Sequence, residues 1–478
     1  MDSKKILIGW ASRDITPDKP TTLVGQFNTR ISEFVKDPVT ATALALETAG
    51  GDQAIIASLD AVWIKDDIRD ACREKLGELI PDFDPQKLLI SVTHTHTAPT
   101  QSSKYFGYPE LDDPAILKPA EYSKLLTKKL VEICVKAWKN RKPGAIAWGY
   151  GQAVVGFNRR TTYADGSTKM YGSADAPEFS HIEGYEDHSV DMLFTYDGKH
   201  RLTGMIVNLA CPSQVTEGAS FVSADFWHET REKIRKRHGQ GLFILPQCSA
   251  AGDQSPHLLL HRPEQERMFK LKKLINAKKP DFNIAQRKAI ALRIAAAVNE
   301  VLPLASLDIR DTVQFVHAVS MLQLPRRKIS KDEAKFCSGQ MRHSQRELTQ
   351  CDQDPKSAAY SSNYVKAGYF GFAVKRFKEQ KSNPVLPMES HVIRLGDVVF
   401  ASNRFELFLD FGIRIKARSK AVQTFVIQLA GEGSYLPTQK AVDAKSYGAG
   451  APDNLVGPEG GQVLVEEQLK TINGLFSE

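Results

Sequence analysis

Cysteine is scarce in this chain. The six present (Cys72, Cys134, Cys211, Cys248, Cys337 and Cys351) are too few in 478 residues to be a disulfide framework. None stands in a Cys-x-x-Cys pair, which excludes a zinc knuckle and a thioredoxin-like redox site. No apolar run approaches the ~18 residues of a membrane span, so no integral membrane association is expected. The N-terminus, Met1-Asp2-Ser3-Lys4-Lys5 ahead of a strand-like Ile6-Leu7-Ile8, has no apolar stretch of signal-peptide length. As written the chain reads as cytoplasmic, and a leader trimmed before Met1 would make it periplasmic or secreted. Charge of one sign is not in large excess: 63 basic against 56 acidic residues leaves +7. The basic runs at 233–237 and 270–279 lack interleaved aromatics and read as solvated helix faces, so no nucleic-acid partner is expected. The sequence also shows no internal repeat and no low-complexity segment.

What is present is an ordinary globular composition, 42% hydrophobic and 25% charged, which rules out disordered, collagen-like and coiled-coil classes. Length alone allows about three domains at ~150 residues each. Apolar runs at 54–59, 87–92, 145–148, 205–209, 242–245 and 398–401 predict buried strands. Apolar residues at three- and four-residue spacing predict helices over 68–79, 122–139, 285–301 and 411–420. The mixture is α/β. Candidate linkers are 303–311 and 326–335, neither long nor rich in Gly and Ser. Residues 97–120 and 160–200 have weak periodicity and predict long loops of the kind that border binding sites.

Three polar segments carry candidate chemistry. Ser91-Val92-Thr93-His94-Thr95-His96-Thr97-Ala98-Pro99 sets a His-x-His at the end of an apolar strand. In extended chain those side chains share one face about 7 Å apart, so both imidazoles can serve one site. Pairing with backbone at a strand end is the competing reading, because zinc usually takes three or four ligands. Ala251-Gly252-Asp253-Gln254-Ser255-Pro256-His257 places Asp253 and Ser255 in a Gly-opened turn. It reads as a nucleophile turn or as a capped turn ahead of proline. Gly156-Phe157-Asn158-Arg159-Arg160 brings two arginine forks to the mouth of a long polar loop. Such forks suit carboxylates, phosphates and developing oxyanions, or surface ion pairs.

Together these segments resemble the neutral/alkaline (non-lysosomal) ceramidase family, zinc amidases that cleave the N-acyl bond of ceramide. Gly9-Trp10-Ala11-Ser12-Arg13-Asp14-Ile15-Thr16-Pro17 resembles the family's opening Gly-x-x-x-x-Asp-Ile-Thr, and Thr93 to Pro99 its Thr-His-Thr-His-Ser-Gly-Pro. Asn158-Arg159 and Gly252-Asp253-Gln254-Ser255-Pro256 are similar to its Asn-Arg and Gly-Asp-x-Ser-Pro elements, in the same order along the chain. The resemblance implies a mixed, layered α/β sandwich, with 1–478 as a single large catalytic domain lacking the C-terminal β-domain of longer ceramidases.

It also implies Zn2+ held by His94, Glu406 in Phe405-Glu406-Leu407, and Tyr435 in Gly433-Ser434-Tyr435, with Tyr447 facing substrate. The family's second ligand, a His before Pro, is replaced here: Val207-Asn208-Leu209-Ala210-Cys211-Pro212-Ser213-Gln214 puts Cys211 in its place. Cys211 either ligates metal as a thiolate or fills the vacated space as a small apolar residue. His96 would shuttle a proton, and Arg159 and Tyr447 would hold the carbonyl oxygen. Asp253 and Asp60 would orient ligands, with Ser255 beside them. Gly25, Asn158, Arg160 and His228 complete the expected substrate-binding set.

The implied function is metal-assisted hydrolysis of an amide bond in a small-molecule substrate. The polar loops at 99–119 and 161–188 favour a polar, anionic or sugar-bearing compound over ceramide. Two alternatives stand beside it. One is a carbohydrate-active enzyme, a glycoside hydrolase or lyase, with weakened or lost zinc dependence. The other is a non-catalytic binding protein, which predicts wider loss of the polar set.

Overall fold

A computed structural model describes residues 5–101, 107–275 and 281–476. Residues 1–4, 102–106 within the first expected loop, and 276–280 at the end of the second basic run lie outside the described residues.

An eight-stranded sheet runs in the order Phe243–Cys248, Leu202–Leu209, Ser189–Asp197, Lys142–Gln152, Leu7–Asp14, Thr40–Glu47, Gln53–Leu59, Leu88–Val92. Its two outermost pairs are parallel and the rest antiparallel. A four-stranded sheet, Phe315–Pro325, Val385–Leu395, Val398–Ser402 and Gln423–Ile427, again ends in a parallel pair. Parallel neighbours need a crossover. The helices Asp66–Leu79, Phe226–His238 and Leu409–Arg418 supply the three crossovers in turn.

One pattern therefore occurs three times: three antiparallel strands, a helix, a parallel fourth strand, and a further helix (Pro119–Lys139, Phe282–Ala305 and Pro458–Leu475). This corrects the reading of no repeat. The repetition is one of topology, carried by strand and helix order and not by similar residues. The candidate linker 303–311 is the joint between the second and third units, its first residues still in the helix Phe282–Ala305. Segment 326–335 runs directly into the helix Lys331–Gln350.

Side-chain alternation builds the layers. In Thr40–Glu47, Ala41, Ala43 and Ala45 face the helices of the first unit, while Leu44 and Leu46 face the other sheet. In Val398–Ser402, Val399 and Ala401 face helices and Val398 and Phe400 face the sheet. Period-two alternation with both faces apolar is what a strand buried on both sides requires. The product is a helix–sheet–sheet–helix sandwich, in accord with the expected layered α/β class. Phe400 and Phe425 stack at 4.3 Å between ring centres in its central layer.

Within each unit the connection between the first two strands is long. In the first it carries Gly25. In the second it forms a small sheet of Arg160–Tyr163, Thr168–Met170 and Phe179–Ile182, so the loop expected over 160–200 is largely strand. In the third it is a hairpin of Lys331–Gln350 and Ala358–Glu379, which the sequence reading missed. Because first and third strands are both flanked by the antiparallel second, these insertions and the exits of the third strands are related across each unit.

Candidate active site

His94 and His96 follow the fourth strand of the first unit. Main-chain bonds pin the segment from two sides, Thr95 N to Ala61 O at 3.2 Å and Ser213 N to Thr93 O at 3.1 Å. The chain is not extended there: His94 has φ of 62°, a left-handed backbone that costs a side-chain-bearing residue roughly 1–2 kcal/mol. The turn brings the two imidazoles closer than an extended chain would, with Nε2 atoms 3.4 Å apart.

Glu406 and Tyr435 leave the third and fourth strands of the third unit and are register partners in a short parallel pairing. His94 Nε2 lies 3.2 Å from Glu406 Oε2, and Tyr435 stands beside the same residue across the short pairing. His94 Nδ1 sits 2.7 Å from the Val62 carbonyl, which only accepts, so Nδ1 carries a proton and Nε2 is turned to Glu406. Burial pushes the Glu406 carboxyl up, but His94, Arg159 and the Tyr435 hydroxyl outweigh it and the net shift is downward. At this spacing the imidazole nitrogen and the carboxylate can pair with each other directly or serve as two donors to one cation.

The residues present therefore fit zinc in part. A ligand imidazole commonly gives its other N–H to a carbonyl, as His94 does to Val62. The 3.2 Å spacing is about what two donors keep in tetrahedral coordination at zinc bond lengths of about 2.0–2.1 Å. His94, Glu406 and Tyr435 make three donors, the usual number for a catalytic zinc with an open position. Among the described residues no three His, Cys, Asp or Glu side chains gather as a metal group, and this set contains two of those types plus a phenol.

Cys211 does not join them, which corrects the ligand reading. Its side chain packs with Val155, Phe226 and Trp227 in the core of the second unit. Its Sγ approaches the carbonyls of Pro212 (3.4 Å) and Val155 (3.7 Å), as a thiol donor does, and burial pushes its pKa well up. Two residues after Pro212, Gln214 turns inward instead. Its Nε2 lies 2.7 Å from His96 Nε2 and its Oε1 3.3 Å from an Arg159 nitrogen.

Arg159 is buried and does not line the cavity, contrary to a direct hold on the substrate carbonyl. It donates to the hydroxyls of Tyr171 (3.0 Å) and Tyr435 (3.3 Å) and to the Gly252 carbonyl (2.9 Å). Burial works against its charge, yet Tyr171, Tyr435 and Glu406 raise its pKa overall. Arg160 also lies behind the wall, bound to Glu183 and to the Tyr447 carbonyl, so it supports the Tyr447 loop and touches no ligand space. Asn158 donates to Asp253 at 3.1 Å. Asp253 accepts Leu409 N at 2.9 Å and anchors the helix after Glu406, and burial pushes its carboxyl up to about 6. Neither Asp253 nor Asp60 meets a candidate ligand. Asp60 is paired with Arg231 at 2.8 Å. Ser255 Oγ accepts from the Tyr171 hydroxyl and from His257 N and does not line the cavity, which does not support the nucleophile reading. His228 stands on the helix Phe226–His238 away from the cavity.

The cavity itself, about 300 Å³, is lined by His94, His96, Glu406, Tyr435 and Tyr447, with Phe27, Trp63, Tyr369, Phe372, Arg376 and Asp453 among its walls. Gly25 also lines it, and a Cβ there would come within 2.5 Å of the His96 ring. Its φ of 108° is open to glycine and strained for other residues. The His96 imidazole is held neutral, its pKa well down through burial and then through His94, Arg30 and Arg159. The sequence reading missed Gln214, Glu217, Tyr171, Tyr369 and Asp453. For Gln214 a signal existed: it is a polar residue two positions after the altered Cys-Pro.

No protein-family model matches the chain, and no curated protein does. Solved structures do. A crystal structure of neutral ceramidase from Pseudomonas aeruginosa superposes with a TM-score of 0.67 at 17% identity, covering 99% of this chain and 75% of that one. A ceramidase complexed with C2 gives 0.65 at 14% identity and the same coverage. The sandwich described here is thus similar to the neutral ceramidase fold over nearly the whole chain.

Proposed function

We propose that the chain is a hydrolase of the neutral ceramidase type that cleaves an amide (N-acyl) bond. One observation carries this reading: His94 Nε2, its ring oriented by the Val62 carbonyl at Nδ1, faces the Glu406 carboxylate beside Tyr435 at the wall of a cavity. The fold likeness supports it. Zinc would be held by His94, Glu406 and Tyr435, and when bound it would polarise a carbonyl and acidify water.

The chain's own groups do the rest. His96, neutral and 3.4 Å from His94 Nε2, takes a proton at Nε2 and returns it to the departing amine. Tyr447, facing the cavity, donates its hydroxyl to the carbonyl oxygen as charge develops there. Arg159 acts from behind, donating to Tyr435 and Tyr171 and so fixing which way those hydroxyls point.

A volume near 300 Å³ is at the low end for ligand sites and supports a compact, polar or sugar-bearing substrate over a two-tailed lipid. Among the described residues no helix is long and apolar enough to cross a membrane. The site draws on strands of the first and third units with support from the second, which supports reading 1–478 as one catalytic domain. The test is metal analysis with turnover of short N-acyl amides. About one zinc per chain, lost with activity on chelation, is expected. Activity that survives chelator, or appears on oligosaccharides alone, would favour the carbohydrate-active alternative.

A further inference from the structure

The helix Ala358–Glu379, half of the hairpin inserted in the third unit, lays Tyr369, Phe372, Lys375 and Arg376 along one wall of the cavity. Their three- and four-residue spacing sets them on a single helix face. Arg376 stands out among them. It is nine-tenths buried, yet among the described residues it has no carboxylate at ion-pair distance. Its guanidinium donates instead to two main-chain carbonyls, Ala451 O at 2.9 Å and Asn454 O. A guanidinium carries five N–H groups, so three are left without an acceptor among the described residues. Burial and the like charges of Arg327 and Arg326 push its pKa down to about 10, and it still carries its charge at neutral pH.

The carboxylates of this region do not answer that charge. Glu333 pairs with Arg327 at 2.7 Å. Asp453 accepts from the Tyr369 hydroxyl and from Gly450 N. Glu379, one helical turn on, is exposed and forms no ion pair among the described residues. Other cations of the cavity wall are met within the protein, Lys65 by Glu432 at 2.7 Å and Arg404 by Asp66 at 3.0 Å. Lys375, next to Arg376, is exposed and forms no ion pair among the described residues either. A buried charge without a counter-ion is costly, so an anion entering the cavity here would relieve it.

We propose that Arg376 and Lys375 form a recognition site for an anionic group of the substrate, a carboxylate or a phosphate, so that the compound cleaved is an N-acyl amide carrying negative charge. This rests on the amidase reading above. The guanidinium fork suits two oxygens of such a group, and the Ala451 and Asn454 carbonyls hold the fork in place before substrate arrives. The Phe372 ring, its centre 5.6 Å from the guanidinium carbon, covers one side of it and keeps water from screening the contact. Lys375 adds a second positive charge at the exposed end of the same wall.

The experiment measures kcat/KM, with zinc present, for short N-acyl amides that bear a carboxylate or a phosphate on a short spacer, on the acyl or the amine half, each against its neutral carboxamide or hydroxyl counterpart. Wild type, Arg376→Gln, Arg376→Lys and Lys375→Glu are compared in the full chain. The same compounds are titrated by calorimetry in chelator, where no cation in the site can draw the anion. Wild type is expected to favour charged over neutral compounds by about 10–100-fold, the worth of a hydrogen bond to a charged group. The preference should approach one in Arg376→Gln and Lys375→Glu, and Arg376→Lys, which keeps the charge without the fork, should fall between. Whichever of the carboxylate and phosphate series shows the larger preference names the anion. Equal handling of charged and neutral compounds by wild type, or a full preference in both Arg376→Gln and Lys375→Glu, overturns the proposal. Should Arg376→Gln fail to fold for want of its bonds to Ala451 and Asn454, Lys375→Glu alone decides, since that side chain is exposed. Absence of amide cleavage by wild type would sink the amidase reading instead, and the titrations in chelator would still decide whether the anion site exists.

Discussion

His94 Nε2 and Glu406 Oε2 stand 3.2 Å apart, joining the end of a strand in the large sheet to the end of a strand in the small one. The contact exists because the two sheets pack face to face with these strand ends on the same edge. A Glu406→Gln variant removes the charge that faces His94 Nε2. Turnover of an N-acyl amide is expected to fall by about 100-fold or more, and bound zinc to drop in parallel, with little change in unfolding temperature. Steady-state kinetics and elemental analysis on the same samples check both.

Cys211 makes the opposite case. Its sulfur approaches the Val155 and Pro212 carbonyls within the core cluster that also holds Phe226 and Trp227, apart from His94 and Glu406. Cys211→Ala should cost about 1 kcal/mol of stability through the small void it leaves, while zinc content and kcat remain within about twofold of wild type. Equilibrium denaturation and metal analysis test this. A fall in metal content would return the thiol to the ligand set.

The two residues also show how far a sequence can be read. The strand-end His-x-His could be read from the residues themselves, a polar motif directly after an apolar strand, whereas Glu406 and Tyr435 came only with the resemblance to the ceramidase family. Cys211 occupied the right position in such a motif, yet its direction depends on which face of the turn the second unit buries. That is a matter of packing against the helix Phe226–His238, which no local pattern encodes. The threefold topology escaped notice for a similar reason. Its sign is the order of strands and crossovers, and the third unit interposes 59 residues, 326–384, between its first two strands. Arg159 was found as a residue and misplaced in role, because burial behind Tyr171 and Tyr435 is a tertiary fact.

Asp253 sets a pH dependence of stability. Its carboxyl is pushed up to about 6 by burial, above the ordinary ~3.9. A raised acid binds its proton more tightly folded than unfolded. Its favourable contribution is therefore complete below about pH 3.9 and is lost as pH rises to about 6, beyond which the buried charge is carried at a cost. The stability of wild type relative to Asp253→Asn should fall by up to about 2–3 kcal/mol between pH 4 and pH 6.5. Urea midpoints measured across that range give the comparison. A flat difference would mean that the bonds from Leu409 N and Asn158 keep the carboxylate ionised throughout.

Arg159→Lys separates charge from shape. The guanidinium reaches four partners at once: the Tyr171 and Tyr435 hydroxyls, Gln214 Oε1 and the Gly252 carbonyl. Lysine keeps the positive charge but offers a single point of donation on a flexible stem, so it cannot span partners supplied by four different segments. At least two buried acceptors would lose their donor, at about 1–3 kcal/mol for the variant. The chemical consequence runs through Gln214. Without the fork to fix its oxygen, the amide is free to flip, and His96 Nε2 then meets an oxygen where it now meets an N–H. A mixed His96 tautomer follows, with kcat lowered about 10–100-fold and KM changed less. The prediction is specific to the fork, because a change acting through charge alone would leave the lysine variant close to wild type in both kcat and tautomer.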